Sequence, residues 1–91
     1  MKNKFCVVIP AFNEEQSIGK VIKDIPDFVD HVIVVSNAST DRTKLVASDA
    51  GAIVLSEERK GYGWACLKGI EHAKELKADI IVFMDGYYSD Y

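Results

Sequence analysis

The chain has 91 residues, 48% of them hydrophobic and 27% charged, which is typical of one small folded domain and excludes a disordered segment. Eleven basic against fourteen acidic residues give a net charge of −3, so neither a nucleic-acid surface nor an anionic-membrane surface is expected. No apolar run exceeds five residues, which predicts no membrane span. Cys6 and Cys66 lack metal-ligand spacing, and we expect free thiols in a reducing cytoplasm.

Four short apolar runs alternate with three helical patterns along the chain. The runs extend from Phe5 to Ile9, from Val32 to Val35, from Ala52 to Leu55 and from Ile80 to Met84. Helices are predicted from about residue 14 to Pro26, over 41–50 and over 64–77, with Asn13 as the first N-cap, Ser39 or Thr40 as the second, and Leu45 and Leu67 among the inward residues.

The resulting order is β-α-β-α-β-α-β. Strands that are apolar throughout are buried on both faces, which indicates an α/β fold with a parallel sheet and helices on each side, in three layers. The chain ends soon after the fourth run, so residues 1–91 are interpreted as a single domain that is the truncated first half of something larger.

Polar and glycine-containing segments follow all four apolar runs. They occupy residues 10–15, 36–41, 56–63 and 85–91. Because ligands of parallel α/β sheets bind at the carboxyl ends of the strands, these four segments are expected on one rim. This clustering is the strongest indication of a binding site that the residues give by themselves.

Four motifs in this order resemble the nucleotide-sugar-binding half of the inverting family-2 glycosyltransferases with the GT-A fold. They are the Pro-Ala-Phe-Asn-Glu-Glu segment from Pro10, the Ser-Asn-Ala-Ser-Thr-Asp segment from Ser36, Lys-Gly-Tyr-Gly from Lys60, and Asp85-Gly86. The first motif is most similar to that of polyprenyl-phosphate sugar transferases, such as the dolichol-phosphate mannose synthase group. The resemblance implies a Rossmann-like half-domain with strand order 3-2-1-4, and a donor-binding domain inactive alone because the catalytic base lies in the second half.

The resemblance also implies which residues bind the nucleotide-diphosphate sugar. They are Pro10, Phe12, Glu14, Ser36, Asn37, Lys60, Gly63 and Asp85. Asp85 is the expected ligand of Mg²⁺ or Mn²⁺, since such cations prefer carboxylate oxygens and neutralise a diphosphate leaving group. No catalytic residue is assigned.

Two positions depart from the family pattern. Ser36 stands where the family has an acid, and Tyr87 replaces the second acid after the fourth strand, which weakens the metal site because a phenol is a poor substitute for a carboxylate. A non-catalytic or degenerate nucleotide-binding module is therefore the alternative. Asp41 is interpreted as an acid in a helix first turn. The fourth strand, from Ile80 to Met84, is expected at a sheet edge, where it favours a homodimer.

Overall fold

The computed structural model describes residues 3–85, which form four strands and three helices. In chain order these are β1 (Phe5–Ala11), α1 (Ile18–Lys23), β2 (His31–Asn37), α2 (Thr43–Asp49), β3 (Ile53–Glu57), α3 (Tyr62–Glu75) and β4 (Ile80–Phe83). Gly86 and the residues after it, including Tyr87, lie outside the described residues.

All strand pairs are parallel, and the strand order is β3-β2-β1-β4, as predicted. Strand β1 is central: Ile9 aligns with Val34 of β2, and Val7 aligns with Val82 of β4. The order reverses between β1 and β4, which is where a crevice opens in an open α/β sheet. The carboxyl ends of β1 and β2 therefore lie side by side on one rim.

Two apolar layers sandwich the sheet because successive strand residues point to opposite faces. One layer joins strand residues such as Ile9 and Val34 to helices α1 and α2. The other joins Val8 and Ile33 to α3. Helix α3 approaches the sheet closely at Gly69, where an added Cβ would lie 2.3 Å from Cγ1 of Val8.

The first strand continues through Pro10 to Ala11, two residues beyond the predicted end. Pairing between β1 and β4 stops at Val8, so Pro10 lies beyond the hydrogen bonds between these two strands. Because β4 offers no acceptor there, the missing N–H of proline costs no hydrogen bond between the strands. The prediction failed because it treated proline as a strand breaker without knowing how short the neighbouring strand is.

Three helix details were also wrong. Asn13 does not cap α1: it adopts a left-handed conformation, with φ of 49°, and α1 begins only at Ile18. Ser39 and Thr40 do not cap α2, whose N-cap is Arg42. Leu45 and Leu67 are both exposed, because smaller residues occupy the buried helix faces; these are Thr43 and Ala47 on α2 and Ala65, Gly69 and Ala73 on α3.

Candidate functional site

A cavity of about 260 Å³ opens at the carboxyl ends of β1, β2 and β4. Five of the eight predicted site residues line it, together with Ala11 and Tyr62; they are Pro10, Phe12, Glu14, Asn37 and Asp85. These residues come from three separate segments that are brought together only by the strand order. The structure thus gathers residues of all four motifs at one place, the third motif through Tyr62.

Glu14 gives the cavity its electrostatic character. Its Oε2 is buried and has no hydrogen-bond partner among the described residues. Burial raises the pKa of the Glu14 carboxyl; a hydrogen bond from the Phe12 backbone opposes this effect, and the charges of Asp85 and Asp41 add to it. A buried, unpaired carboxylate oxygen in a cavity is a group that a donor from a ligand would satisfy.

Hydrogen bonds from the second loop hold Glu14 in place. Its backbone N–H donates to Oγ1 of Thr43 at 2.7 Å, and the Thr43 hydroxyl donates in turn to Asp41. Asp41 also accepts from the backbone N–H of Glu15 at 3.3 Å. Burial acts to raise the pKa of Asp41, but these hydrogen bonds outweigh it and hold the pKa below its ordinary value. Asp41 therefore organises the first loop, in addition to lying just before α2.

Two further contacts join the same loops. The Asn13 side-chain oxygen accepts from the backbone N–H of Thr40 at 2.8 Å, and the Asn13 backbone N–H donates to Oγ of Ser39 at 3.2 Å. The polar residues expected to cap helices are used instead to connect the loops that follow β1 and β2. Both strand ends are therefore fixed relative to each other.

Asn37 fixes the third loop. Its Nδ2 donates to the backbone carbonyls of Glu57, at 3.2 Å, and Arg59, at 2.8 Å, while its Oδ1 accepts from the N–H of Gly61 at 3.0 Å. Gly61 has a φ of 134°, a conformation that favours glycine, and it is the N-cap of α3. Both amide hydrogens of Asn37 are thus used within the protein, and only its oxygen has capacity left for a ligand.

Arg59 and Lys60, two consecutive basic residues in the segment from 56 to 63, differ in their contacts. Arg59 forms an ion pair with Glu57, with an Nη2–Oε1 distance of 2.8 Å, and its guanidinium lies 3.9 Å from the ring centre of Trp64. The hydrogen bonds from Arg59 lower the pKa of Glu57 to about 2. Lys60 instead lines an open hollow with Gly63, Trp64 and other residues at the start of α3. Of the two, Arg59 is engaged in an ion pair, and Lys60 forms none with the described residues.

Ser36 does not share the cavity with Asn37. The two are neighbours on β2, so their side chains point to opposite faces. Ser36 is 2% exposed and lines a separate groove with residues that include Lys44 and Lys68. The site residues therefore fall into three groups: the cavity, the hollow of Lys60 and Gly63, and the groove of Ser36.

The described residues offer two carboxylates to a divalent cation in the cavity, from Glu14 and Asp85. Within residues 3–85, no cluster of three or more His, Cys, Asp and Glu side chains could hold a metal ion. The hard oxygen donors fit Mg²⁺ or Mn²⁺, which complete their coordination with water and substrate phosphates. Tyr87 lies outside the described residues, so the weakening of the metal site by Tyr87 remains a prediction.

Other sequence predictions concern the cysteines and the membrane. Cys6 is buried, whereas Cys66 is partly exposed, and both are free thiols. Burial raises the pKa of the Cys6 thiol. In the part of the chain that the structure covers, we find no helix with the length and apolar character to cross a bilayer.

Comparison with known proteins places this geometry in a family. Residues 6–86 match the family model for Glycosyl transferase family 2. The glycosyltransferase AglJ of Haloferax volcanii is 35% identical over 83 residues, which cover 89% of this chain and 26% of that protein. Glucosyl-3-phosphoglycerate synthase of Mycolicibacterium paratuberculosis is 38% identical over 91 residues, covering 87% of this chain and 27% of the relative.

A solved structure agrees with both the sequence and the fold. Glucosyl-3-phosphoglycerate synthase from Mycobacterium tuberculosis, in complex with Mn²⁺, uridine-diphosphate-glucose and phosphoglyceric acid, superposes with a TM-score of 0.78 at 35% identity. The match covers 92% of this chain and 33% of the other. The chain thus spans about a quarter to a third of the length of these relatives.

Proposed function

Because the chain belongs to glycosyl transferase family 2, we propose that residues 1–91 are a donor-binding domain that holds a nucleotide-diphosphate sugar for glycosyl transfer. The observation that carries the proposal is the cavity, which brings together Phe12, Glu14 and Asp85 from distant parts of the chain. A relative, the Mycobacterium tuberculosis synthase, is described with uridine-diphosphate-glucose and Mn²⁺.

The chemistry of the cavity matches the two parts of such a ligand. Phe12 is 53% exposed and offers an apolar surface to a base, and the unpaired Glu14 oxygen accepts a hydrogen bond from a ribose or sugar hydroxyl. Lys60 lies at the start of α3, where backbone N–H groups and the helix dipole favour a diphosphate. Asp85 would hold Mg²⁺ or Mn²⁺, which neutralises charge on the leaving diphosphate when bound.

The finer assignment is a sugar transferase that uses a polyprenyl-phosphate acceptor, located in the cytoplasm. The first motif, from Pro10 to Glu15, supports the acceptor class by its resemblance. The free thiols of Cys6 and Cys66 support the compartment. We expect no useful turnover from these 91 residues alone, since they correspond to about a third of the solved synthase.

Titration calorimetry tests donor binding directly. The chain is titrated with uridine- and guanosine-diphosphate sugars, each with and without Mn²⁺. Micromolar binding that Mn²⁺ strengthens is expected for one of the donors. No binding to any nucleotide would favour the alternative, a non-catalytic interaction module whose site has degenerated at Ser36 and Tyr87.

A Lys60→Ala variant separates the diphosphate contact from the nucleoside contact. We expect weaker binding of uridine diphosphate and unchanged binding of uridine, because only the diphosphate reaches the lysine. Lys23→Ala is the matched control, since the exposed Lys23 of α1 lines neither the cavity, nor the hollow of Lys60, nor the groove of Ser36. Equal losses of both ligands in Lys60→Ala would contradict the assignment.

We also propose a homodimer that pairs through β4, the strand from Ile80 to Met84 in the sequence. Strand β4 lies at the sheet edge, and Val82 and Phe83 are each 42% exposed. An antiparallel pair of two such edges satisfies their free N–H and C=O groups about a two-fold axis. Sedimentation equilibrium is expected to show a dimer at micromolar concentration and a monomer for Val82→Lys, which keeps the backbone donor. A monomeric wild-type chain would exclude this dimer.

A further inference from the structure

Tyr62 lines the donor cavity although it belongs to none of the residues assigned by the resemblance. It is the first residue of α3, and its side chain is 60% exposed. Phe12 lines the same cavity from the loop after β1 and is comparably exposed. Two aromatic side chains from distant segments thus line one small cavity, and no other large apolar side chain of residues 3–85 lines it.

The backbone that leads into Tyr62 is held by hydrogen bonds. The preceding residue, Gly61, donates its N–H to Oδ1 of Asn37, whose amide also donates to two carbonyls of the third loop. Burial, the Cys66 thiol and the Asp85 carboxylate raise the pKa of the Tyr62 phenol, so the ring carries no charge. An uncharged aromatic ring at the edge of the cavity is suited to stacking on a base.

The size and charge of the cavity decide which part of the ligand the ring meets. About 260 Å³ is at or below the lower end of the range for sites that enclose a whole drug-sized ligand, so the cavity accommodates one part of a nucleotide sugar. Among residues 3–85, the charged side chains that line it are the acids Glu14 and Asp85, which repel a diphosphate when no cation is bound. An uncharged planar base beside Phe12 is the part that fits.

We propose that Tyr62 is a donor-binding residue that stacks, together with Phe12, on the nucleobase of the donor. This inference rests on the proposed function, since it presumes that the cavity binds a nucleotide. Aromatic side chains stack favourably on every base, and removing one weakens binding of a base by about tenfold. Tyr62 would therefore select for the presence of a base and not for one particular base.

The test compares four chains by calorimetry with uridine diphosphate and Mn²⁺: wild type, Tyr62→Ala, Tyr62→Phe and Leu45→Ala. Leu45 is an exposed apolar residue of α2 outside the cavity and serves as the matched control. We expect about tenfold weaker binding for Tyr62→Ala, and affinities within about twofold of wild type for the other two. Thermal unfolding midpoints establish that all four chains are folded.

The outcomes separate the two proposals. Equal affinity of Tyr62→Ala and wild type overturns the stacking role and leaves donor binding intact. A loss in Tyr62→Phe as large as that in Tyr62→Ala also overturns it, because the hydroxyl and not the ring would then be responsible. If the wild-type chain binds neither uridine diphosphate nor guanosine diphosphate, donor binding is overturned and the role of Tyr62 with it; if it binds only guanosine diphosphate, the four chains are compared with that ligand.

Discussion

Strands β2 and β4 flank the central strand on opposite sides, and they differ in how they are covered. Helices α2 and α3 both pack against β2, and Ile33, Val34 and Val35 are completely buried. On β4, Val82 and Phe83 are each 42% exposed. Both strands are built mainly of the β-branched residues Val and Ile, so these residues do not account for the difference.

The position in the sheet accounts for it. Strand β2 has a neighbour on each side, whereas β4 has one, and the α3 layer extends over β1, β2 and β3. The carboxyl ends of β1 and β2 are also joined by the hydrogen bonds of Asn13 and Thr43. The well-covered part of the molecule is therefore the part that supplies most of the candidate site.

The largest expected effect is a difference between two identical substitutions. Val34 and Val82 lie on the same face of the sheet, because Val34 aligns with Ile9 and Val82 with Val7 of the same strand. Val34→Ala is expected to reduce the free energy of unfolding by about 2–3 kcal/mol, and Val82→Ala by less than about 1 kcal/mol. Urea unfolding measures both. Pairing of β4 edges in the proposed dimer joins backbone groups and does not cover the sheet face that bears Val82. Equal losses would therefore mean that this face of β4 is covered in solution.

A second pair of substitutions examines how closely α3 covers the sheet. Gly69→Ala places a methyl group 2.3 Å from Cγ1 of Val8, and we expect a loss of about 1–2 kcal/mol. Gly63→Ala is the control on the same helix, because an added Cβ there meets nothing within 4 Å. It should be neutral or stabilising, since alanine favours helix over glycine by about 1 kcal/mol. If both variants lose stability equally, the close approach at Gly69 is not the cause.

Sequence patterns were sufficient for the fold because they depend on local periodicity and on the rules of parallel sheets. The apolar runs predicted all four strands, and the family resemblance predicted the strand order. Burial at single positions was not predictable: Leu45 and Leu67 were expected inside and are exposed. Where a helix packs through residues as small as Gly69, a larger apolar side chain on the same helix no longer marks the buried face.

The motifs predicted which residues form the candidate site, but they did not predict the hydrogen bonds that those residues make. Phe12, Glu14 and Asp85 lie together in the cavity, as motifs at strand ends indicate. The sequence did not reveal that Asn37 donates both amide hydrogens to the third loop, because the acceptors are backbone carbonyls twenty or more residues away. Tyr62 is visible in the sequence as the tyrosine of the Lys-Gly-Tyr-Gly motif, directly after the N-cap glycine of α3.

A third prediction concerns the hydrogen bonds that join the ends of β1 and β2. Thr43→Val keeps the shape of a completely buried side chain and removes the hydroxyl that accepts from Glu14 and donates to Asp41. We expect a loss of about 1 kcal/mol in unfolding free energy and faster amide exchange at Glu14. Thr40→Val is the control, since the exposed Thr40 makes its shorter bond to Asn13 through its backbone. Unchanged exchange in Thr43→Val would show that these strand ends are held by something else.

The smallest expected effect is a pH dependence of the free energy of unfolding, which arises in the loop between β3 and α3. Arg59 lowers the pKa of Glu57 to about 2 from an ordinary 4.5, so between these values the unfolded chain binds more protons than the folded one. The stability that this pair contributes is present above about pH 4.5 and is lost as the pH falls toward 2. The exposure of Arg59 to solvent keeps it small. Urea unfolding between pH 2 and 7 should therefore show a shallower acid slope for Glu57→Gln than for wild type.

Glu14→Gln is the control of opposite sign. Because the pKa of Glu14 is raised in the folded chain, its ionisation destabilises the fold as the pH rises above 4.5. The stability of this variant relative to wild type should therefore increase toward neutral pH. Identical acid slopes for wild type and Glu57→Gln would show that the Glu57–Arg59 pair does not anchor the third loop in solution.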